Sequence, residues 1–377
     1  MTNPLLTMAD VLAFCVRKGL TFAAYRLPFG GQITAVIQST HALQRLSSLR
    51  GVAKTKAFVF APFQATASIR PVIIAPDVLI RDAVTEAQAD ALHGIVAPPL
   101  ALPRAENAAT TEAVAFQEQV ERCVSEMRRG DYQKVVLSRT KSLKGNFAPA
   151  MDEIFFSLCE AYPEAFVYLV NMEGQHWMGA TPEPLLCSDG DLFYTDSLAA
   201  TRSFTPGSGS IEDWNAKERQ EQRYVAEDIE AVLQRFGIRD YTKVGPLPRR
   251  AGSLLHLCTR FSFPKPTEFD WGAFVDALHP TPAICGTPRA RALQVIKALE
   301  RHDRAYYGGF LGPVGLDGHL QLFVNLRCMK LYQNAITVFA GSGITSDSIP
   351  KEEWQETELK CETVLSVVTQ SLHAPSH

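Results

Sequence analysis

The sequence predicts an α+β protein built on large antiparallel β-sheets that are flanked by helices. Most of its strand-like runs follow one another with turn residues between them, as hairpins and meanders do. A few long amphipathic segments with helical spacing separate these groups of strands. Grouped strands with occasional helices are typical of antiparallel sheets, whereas a parallel sheet alternates strands and helices regularly.

The first hundred or so residues form a mixed segment. Helical spacing over residues 6–18 is followed by the strand-like runs FAAYRL, QITAVIQS, AFVFAPF and RPVIIAPDVLI. Over residues 87–111 the composition shifts to Ala, Pro and small polar residues, which is typical of a long connection. We therefore predict an N-terminal α/β segment over residues 1–105 that completes the fold, and a catalytic region over residues 106–377.

The rest of the chain alternates helices with groups of strands. Periodic apolar positions predict helices over residues 112–129, 151–162, 212–236 and 351–372, and two short helices on either side of HPTPAICGTP. The strand-like runs are KVVLSRT, AFVYLVNM, HWMGATPEPLLC, DLFYTDSL, SLLHLCTRF, YYGGFLGPVG, LQLFVNLRCMKLY and AITVFAGSGI.

Composition excludes several classes of protein. The 377 residues are 46% hydrophobic and 20% charged with a formal net charge of -3, which gives no reason to expect binding to nucleic acid. No apolar stretch approaches the roughly 20 residues of a membrane span, and the N-terminus lacks the basic region of a signal peptide. The eight cysteines are scattered without CxxC motifs, which predicts reduced thiols in a cytoplasmic protein.

Two acidic segments could bind a metal ion. KERQEQRYVAEDIE places Glu218 and Glu221 on a long helix, and EEWQETELK places Glu353 and Glu356 three residues apart on the last helix. Residues three apart share a helix face, so both pairs could point into one cleft. Carboxylate oxygens suit a hard cation such as Mg²⁺, although a solvated acidic face has the same pattern.

Several motifs, in order from Lys134 to the final helix, resemble the chorismate-utilising enzymes. This family includes isochorismate synthase, salicylate synthase, anthranilate synthase component I and aminodeoxychorismate synthase. The motifs are KVVLSRT, GATPEPLL, SLAATR, HPTPAICGTP, LQLFVNLRC, GSGI and EEWQETELK. The resemblance implies the fold of anthranilate synthase component I and chorismate as the substrate.

The resemblance also assigns roles to acidic and basic residues. It implies that Glu221 and Glu356 bind Mg²⁺, with Glu218 and Glu353 nearby as outer or alternative ligands. It makes Lys134 the general base that activates water, which requires burial or nearby cations that favour the neutral amine. It makes Glu183 the general acid, which requires an environment that keeps the carboxyl group protonated.

The remaining matched residues would bind the substrate. Arg327 lies in an apolar run that we read as a strand, where a buried guanidinium needs an anion. By resemblance, Arg327 and Gly341 bind one carboxylate of chorismate with help from Tyr307. The other residues implied to contact the substrate are Ala200, Thr201, His256 and Lys360.

Three features favour isochorismate synthase among the members of the family. LHPTPAICGTP resembles the form of this segment in isochorismate synthases, Ala199 stands where aminodeoxychorismate synthases carry a nucleophilic lysine, and the ammonia-using members lack a lysine at Lys134. The implied reaction adds water at C2 of chorismate with loss of the C4 hydroxyl, for menaquinone or siderophore biosynthesis, by a monomer or weak homodimer. Salicylate synthase and a chorismate-binding protein without activity are the alternatives.

Two positions depart from the family pattern. Ala200 replaces the glycine of the family's LAGT loop, and Ser342 replaces an alanine in the GSGI segment. Neither change removes a catalytic group. Both are expected to alter the fit of the pocket around the substrate.

Overall fold

A computed structural model describes residues 7–50, 52, 55–105, 110–205, 207 and 209–373. The helices in these residues are α1 (Met8–Lys18), α2 (Glu86–His93), α3 (Ala113–Arg128), α4 (Met151–Ala161), α5 (Ala216–Arg235), α6 (Trp271–Leu278), α7 (Arg289–Leu299) and α8 (Pro350–His373). The strands are β1 (Thr21–Arg26), β2 (Ile33–Gln38), β3 (Gln44–Arg45), β4 (Ala57–Ala61), β5 (Val72–Ile74), β6 (Val78–Arg81), β7 (Lys134–Lys144), β8 (Phe166–Met172), β9 (Gln175–Thr181), β10 (Pro184–Asp189), β11 (Leu192–Ser203), β12 (Thr242–Ala251), β13 (Leu254–Pro264), β14 (Gly286–Thr287), β15 (Phe310–Val314), β16 (Gln321–Val324), β17 (Cys328–Tyr332) and β18 (Ala335–Ile344).

The strands form two antiparallel sheets. In the described residues the first sheet has the order β14-β7-β18-β17-β9-β8-β1-β2-β6, and the second has the order β12-β13-β11-β10-β16-β15-β4-β5-β3. Helices α1, α4 and α8 share an apolar core with the first sheet, and α5 and α6 share one with the second. The α+β fold class with large antiparallel sheets is therefore confirmed.

The two sheets face each other across a third core that is rich in aromatic residues. Phe166 and Trp177 project from the first sheet, and Phe60 and Phe323 project from the second. Strands such as β8 are buried along their whole length, because one face meets the other sheet and the other face meets helices. This explains the continuous apolar runs in the sequence.

N-terminal elements contribute to both sheets. Strand β1 pairs with β8 in the first sheet, and β4 pairs with β15 in the second. The buried guanidinium of Arg26 adds hydrogen bonds to the carbonyl oxygens of Tyr162 and Pro163. We predicted a boundary between residues 105 and 106, and residues 106–109 lie outside the described part of the chain. Residue 6, at the start of the first predicted helix, also lies outside it.

Helix α2, strand β12 and the two-residue strands β3 and β14 were not predicted. Helix α2 lies in the segment that we read as a connection, where Thr85 and Gln88 form a capping box that begins the helix. Strand β12 is an edge strand with mostly exposed residues and two prolines, Pro246 and Pro248, so it lacks the alternation that marks a half-buried strand. No helix in the described residues is long and apolar enough to cross a membrane.

Candidate active site between the two sheets

Nine of the predicted site residues line one cleft between the sheets. A cavity of about 620 Å³ is lined by residues from both sheets, α5 and α8. Its lining includes the predicted residues Glu183, Ala200, Thr201, Glu221, His256, Tyr307, Arg327, Gly341 and Lys360. A wider opening beside it, of about 1380 Å³, is lined by Glu218, Glu353 and Glu356 and shares Glu221 with the cleft.

Two crossings of the chain between the sheets place Glu183 and Arg327. The chain leaves the first sheet after β9, passes through Pro182 and Glu183, and enters the second sheet at β10. It returns from β16 to β17 through residues 325–327. The crossings are hydrogen-bonded to each other, because Val324 N donates to Glu183 O at 2.9 Å and Thr181 Oγ1 donates to Val324 O at 2.6 Å.

This arrangement corrects the predicted location of Arg327. We expected a residue within a strand, but Arg327 lies in the connection between β16 and β17 with a φ of 48°. A left-handed backbone interrupts a strand, and here it turns the side chain into the gap between the sheets. Arg327 lines the cleft, and its Nη1 atom is buried without a hydrogen-bond partner.

Lys134 begins β7 and is fully buried. Its Nζ lies 3.0 Å from Glu221 Oε1, in an orientation that does not form a hydrogen bond. A Cβ atom on Gly343 would lie 2.2 Å from Glu221 Oε1 and 3.2 Å from Lys134 Cε. Gly343 is therefore required for this contact. Burial agrees with our expectation for Lys134, but the charged group that it contacts is a carboxylate rather than a cation, and Lys134 is not among the residues that line the cleft.

Glu183 has the environment expected of a proton donor. Its side chain is buried, and this burial raises its pKa to about 8, with a further contribution from the charge of Asp196. Lys134, Lys360 and Arg327 act in the opposite direction. The carboxyl group is therefore largely protonated at neutral pH.

His256 joins Arg327 to the SLAATR segment. Burial, with the charges of Arg327 and Lys360, lowers the pKa of His256 to about 3, so the ring is neutral. Its Nδ1 lies 3.0 Å from Ala200 O and 3.2 Å from Thr201 Oγ1, and its Nε2 lies 3.4 Å from Arg327 Nη2. Donation from Nδ1 to the carbonyl leaves Nε2 free to accept from the guanidinium.

The family's glycine at Ala200 has a structural explanation. Ala200 adopts a φ of 60° at a register shift in β11, between Ala199 and Thr201. Glycine occupies this left-handed conformation without strain, whereas an alanine there costs about 1 kcal/mol. The chain keeps the bulge despite the substitution, and Ala200 still lines the cleft.

Gly341, Tyr307 and Lys360 form another part of the wall. Lys360 Nζ donates to Gly341 O at 2.9 Å and to Glu356 Oε1 at 2.5 Å. A Cβ atom on Gly341 would lie 2.8 Å from the Tyr307 hydroxyl oxygen. Glycine is therefore needed for the tyrosine to approach the backbone at this point.

Two of the carboxylates at the opening are bound by cationic side chains that line it as well. Arg202 binds Glu218 at 2.5 Å, and Lys217 binds Glu353 at 2.7 Å. The Ser342 hydroxyl also donates to Glu353, so the serine that departs from the family pattern fixes this side chain. We did not predict Lys217, although it lies four residues before Glu221 on the same helix.

The acidic residues suit a divalent cation. Burial raises the pKa of Glu356, and the neighbouring Glu353 and Glu221 carboxylates add to this effect while Lys360 opposes it. Carboxylates that repel one another in this way are stabilised by a cation with oxygen affinity. Among the described residues, however, no group of three or more His, Cys, Asp or Glu side chains already surrounds a single point.

Known proteins are similar to this chain in sequence and in fold. It is 31% identical over 269 residues to isochorismate synthase EntC of Escherichia coli (strain K12), covering 70% of this chain and 69% of that protein. One similar structure is that of a Bacillus anthracis protein described as 2,3-dihydroxybenzoate-specific isochorismate synthase DhbC. It superposes on this chain with a TM-score of 0.76 at 20% sequence identity, over 96% of this chain and 99% of that one. The menaquinone-specific isochorismate synthase MenF of Escherichia coli superposes with a TM-score of 0.75 at 20% identity, over 95% and 91%.

The two structures show the fold, and the family follows from the sequence. Residues 73–369 match the family described as chorismate binding enzyme. This match includes every residue that lines the cleft and extends into the N-terminal segment, which the sequence motifs did not cover. The chain belongs to the chorismate-binding enzyme family.

Proposed function

We propose that this chain is an isochorismate synthase, an isomerase that reversibly converts chorismate to isochorismate. The observation that carries this proposal is a glutamic acid in the cleft that burial keeps largely protonated at neutral pH, together with a buried lysine, Lys134, that contacts Glu221 in the wall of the same cleft. These are the two groups that adding one hydroxyl and removing another require. The similarity to EntC over most of both chains supports the same activity.

Lys134 and Glu183 would act as the base and the acid. Lys134 would take a proton from water as the oxygen bonds to C2 of the ring, and Glu183 would protonate the C4 hydroxyl as it leaves as water. Glu183 is suited to this role because burial favours its neutral form. In the reverse reaction each group performs the opposite transfer.

The cationic part of the cleft would bind the carboxylates of chorismate. Arg327 offers an unpartnered donor, which an anion would satisfy together with Gly341 and the Tyr307 hydroxyl. His256 would hold Arg327 and the backbone of Ala200 in place through its two ring nitrogens. Thr201 and Lys360 complete the substrate-binding set.

Glu221 and Glu356 would hold Mg²⁺ at the opening of the cleft. When bound, the ion would hold the ring carboxylate of the substrate and neutralise its charge. Glu218 and Glu353 would lie outside the direct ligands, because Arg202, Lys217 and Ser342 already bind them. Cytoplasmic location, a monomeric or weakly dimeric state, and a role in menaquinone or siderophore biosynthesis stay predictions.

The test is incubation of the purified chain with chorismate and Mg²⁺, followed by chromatography. We expect isochorismate, and an equilibrium mixture that is the same from either direction. Release of fluorescent salicylate with pyruvate would instead identify a salicylate synthase. Binding of chorismate in a calorimeter without any product would identify a protein that only binds it.

The metal assignment is tested separately by direct binding. Glu356→Gln should weaken Mg²⁺ binding measured by calorimetry while the far-ultraviolet circular dichroism stays unchanged. Glu362→Gln is the matched control, because Glu362 is exposed on the same helix and does not line the opening. Unchanged Mg²⁺ affinity in Glu356→Gln, or turnover in EDTA, would contradict the assignment.

A further inference from the structure

Arg304 lies behind the wall of the cleft, where it forms a buried ion pair with Glu300. Arg304 Nε donates to Glu300 Oε2 at 2.8 Å, and Arg304 Nη2 donates to Glu300 Oε1 at 2.6 Å. The two side chains are only 4% and 3% exposed. Desolvation of two buried charges offsets much of their attraction, so a gain in stability alone does not account for this pair.

The Arg304 guanidinium joins two segments of the chain that both line the cleft. Its Nη2 donates to Val136 O at 2.7 Å, and its Nη1 donates to Ile284 O at 2.8 Å. Val136 is near the start of β7, and Ile284 belongs to the HPTPAICGTP motif just before β14. Both residues line the cleft. One planar group of donors therefore holds the start of β7 against this motif.

Glu300 adds a second attachment to the same strand. Its Oε1 accepts hydrogen bonds from Ser138 N at 2.6 Å and from Ser138 Oγ at 3.0 Å. Ser138 is two residues beyond Val136 on β7. The ion pair thus binds β7 at two nearby positions, once through the cation and once through the carboxylate.

Lys134 has little backbone support from its own strand pairing. The pairing of β7 with β18 begins at Val135, so in the described residues Lys134 is paired with Thr287 of the two-residue strand β14 and with no residue of β18. Val136 N donates to Cys285 O at 2.8 Å, beside the carbonyl groups that the guanidinium binds. The position of Lys134 therefore depends on the contact between β7 and the motif before β14.

We propose that Arg304, paired with Glu300, is a positioning residue that holds Lys134 where it can take a proton from water. Its importance for catalysis rests on the proposed function, in which Lys134 is the general base. Arg304 itself does not line the cleft, so it should act on turnover rather than on substrate binding. A misplacement of about 1 Å can lower the rate of a positioned reaction by roughly 100-fold, which makes such support measurable.

The test is the variant Arg304→Lys in the whole chain. Lysine keeps a positive charge beside Glu300, but its single ammonium group does not reproduce the planar set of donors that joins Val136 O to Ile284 O. We expect kcat to fall at least about tenfold, because the base is displaced from its working position. The Kd values of chorismate and of Mg²⁺, measured by calorimetry, should stay close to those of the parent.

Arg26→Lys is the matched control for loss of a buried guanidinium. Arg26 is buried as well, and it binds the carbonyl oxygens of Tyr162 and Pro163 without lining the cleft. Its kcat should stay near the parent value. A kcat in Arg304→Lys no lower than in Arg26→Lys, or a loss of chorismate affinity with kcat unchanged, would overturn the proposal.

A neutral pair serves if circular dichroism shows that Arg304→Lys does not fold. The double variant Glu300→Gln with Arg304→Gln leaves no unpaired buried charge, and a parent-like kcat in it would contradict the proposal. If the parent itself does not turn over chorismate, the proposed function fails, and amide hydrogen exchange decides the positioning separately. Val136 N should exchange faster in Arg304→Lys than in the parent, and an unchanged rate would show that Arg304 does not hold this strand.

Discussion

The space between the two sheets is divided into an aromatic half and a polar half. In the aromatic half the rings of Phe166 and Phe323 stack with centroids 4.4 Å apart, and those of Phe60 and Tyr306 lie 4.3 Å apart. In the polar half the wall contains several small residues, which are Ala199, Ala200, Ala340, Gly341 and Gly343.

The size of the inward-facing side chains explains this difference. Large rings fill the gap and hold the sheets together, whereas alanines and glycines leave room for a cleft into which charged side chains point. Phe339 lies at the boundary, where it stacks on Trp177 and on Tyr307. The residues that stabilise the packing of the two sheets are therefore different from those proposed to act in catalysis. Substitutions in the aromatic half should lower the free energy of unfolding, and substitutions in the polar half should lower kcat.

The largest expected effect is on catalysis in the polar half. Lys134→Ala and Glu183→Gln should each lower kcat by at least about 10²–10⁴-fold, because positioned acids and bases typically contribute that much. Turnover of chorismate in both directions is the measurement. Lys141→Ala is the control, since this lysine of β7 forms its ion pairs with Glu358 and Glu362 away from the cleft. Near-parent turnover in Lys134→Ala would exclude it as the base.

The next effect is on stability in the aromatic half. Phe60→Ala removes a fully buried ring that contacts Tyr306, Trp177 and Tyr168, so the free energy of unfolding should fall by about 3–5 kcal/mol. Phe29→Ala, at a position that is 80% exposed, should change it by less than about 0.5 kcal/mol. Urea unfolding gives both values. A large loss of kcat per folded Phe60→Ala molecule would show that the two halves are not separate.

A third effect, on pH stability, involves residues outside the cleft as well as one inside it. Burial lowers the pKa of His176 and of His279 to about 4, and that of His256 to about 3. Below about pH 6.5 the unfolded chain binds protons that the folded chain does not, so stability should decrease as the pH falls from about 6.5 towards 4.

The slope should reach about 1.4 kcal/mol per pH unit for each histidine. His176 does not line the cleft, so His176→Leu should remove one of these contributions without changing the candidate site. Urea unfolding at several pH values measures the slope. An unchanged slope in His176→Leu would show that His176 does not resist protonation in the folded state.

The smallest effect concerns the bulge at Ala200. Ala200→Gly should stabilise the protein by less than about 1 kcal/mol, because relief of the left-handed strain is partly offset by the greater freedom of glycine in the unfolded chain. The melting temperature measures this change. A lower melting temperature would mean that packing of the Ala200 methyl group outweighs the strain.

The strongly patterned elements were predicted from periodicity, whereas the candidate site residues were proposed from a family resemblance. Long amphipathic segments such as α8 and buried runs such as β8 have clear periodicity, so their existence was predicted correctly. Periodicity could not identify β12, whose exposed residues and prolines resemble a loop. The residues of the cleft came from the family resemblance, since local pattern alone would assign Lys134 to an exposed edge.

Partnerships between distant residues could not be read from the sequence. The contact of Lys134 with Glu221 and the hydrogen bond from Ser342 to Glu353 depend on how strands and helices from distant parts of the chain pack. The location of Arg327 was missed for a similar reason. Its segment reads as one continuous strand, and only the meeting of two sheets shows where the chain must leave one and enter the other.

The distribution of the N-terminal strands over both sheets has a consequence for dividing the chain. We propose that residues 1–105 complete the fold and do not form a detachable module. A fragment that began at residue 110 would expose the backbone edge of β8 in one sheet and of β15 in the other. Such open edges bind other strands, so this fragment alone should aggregate. When it is coexpressed with residues 1–105, strands β1 and β4 should pair with both exposed edges and restore the two sheets. The chain is therefore a candidate for a split enzyme, in which activity appears only when the two fragments associate.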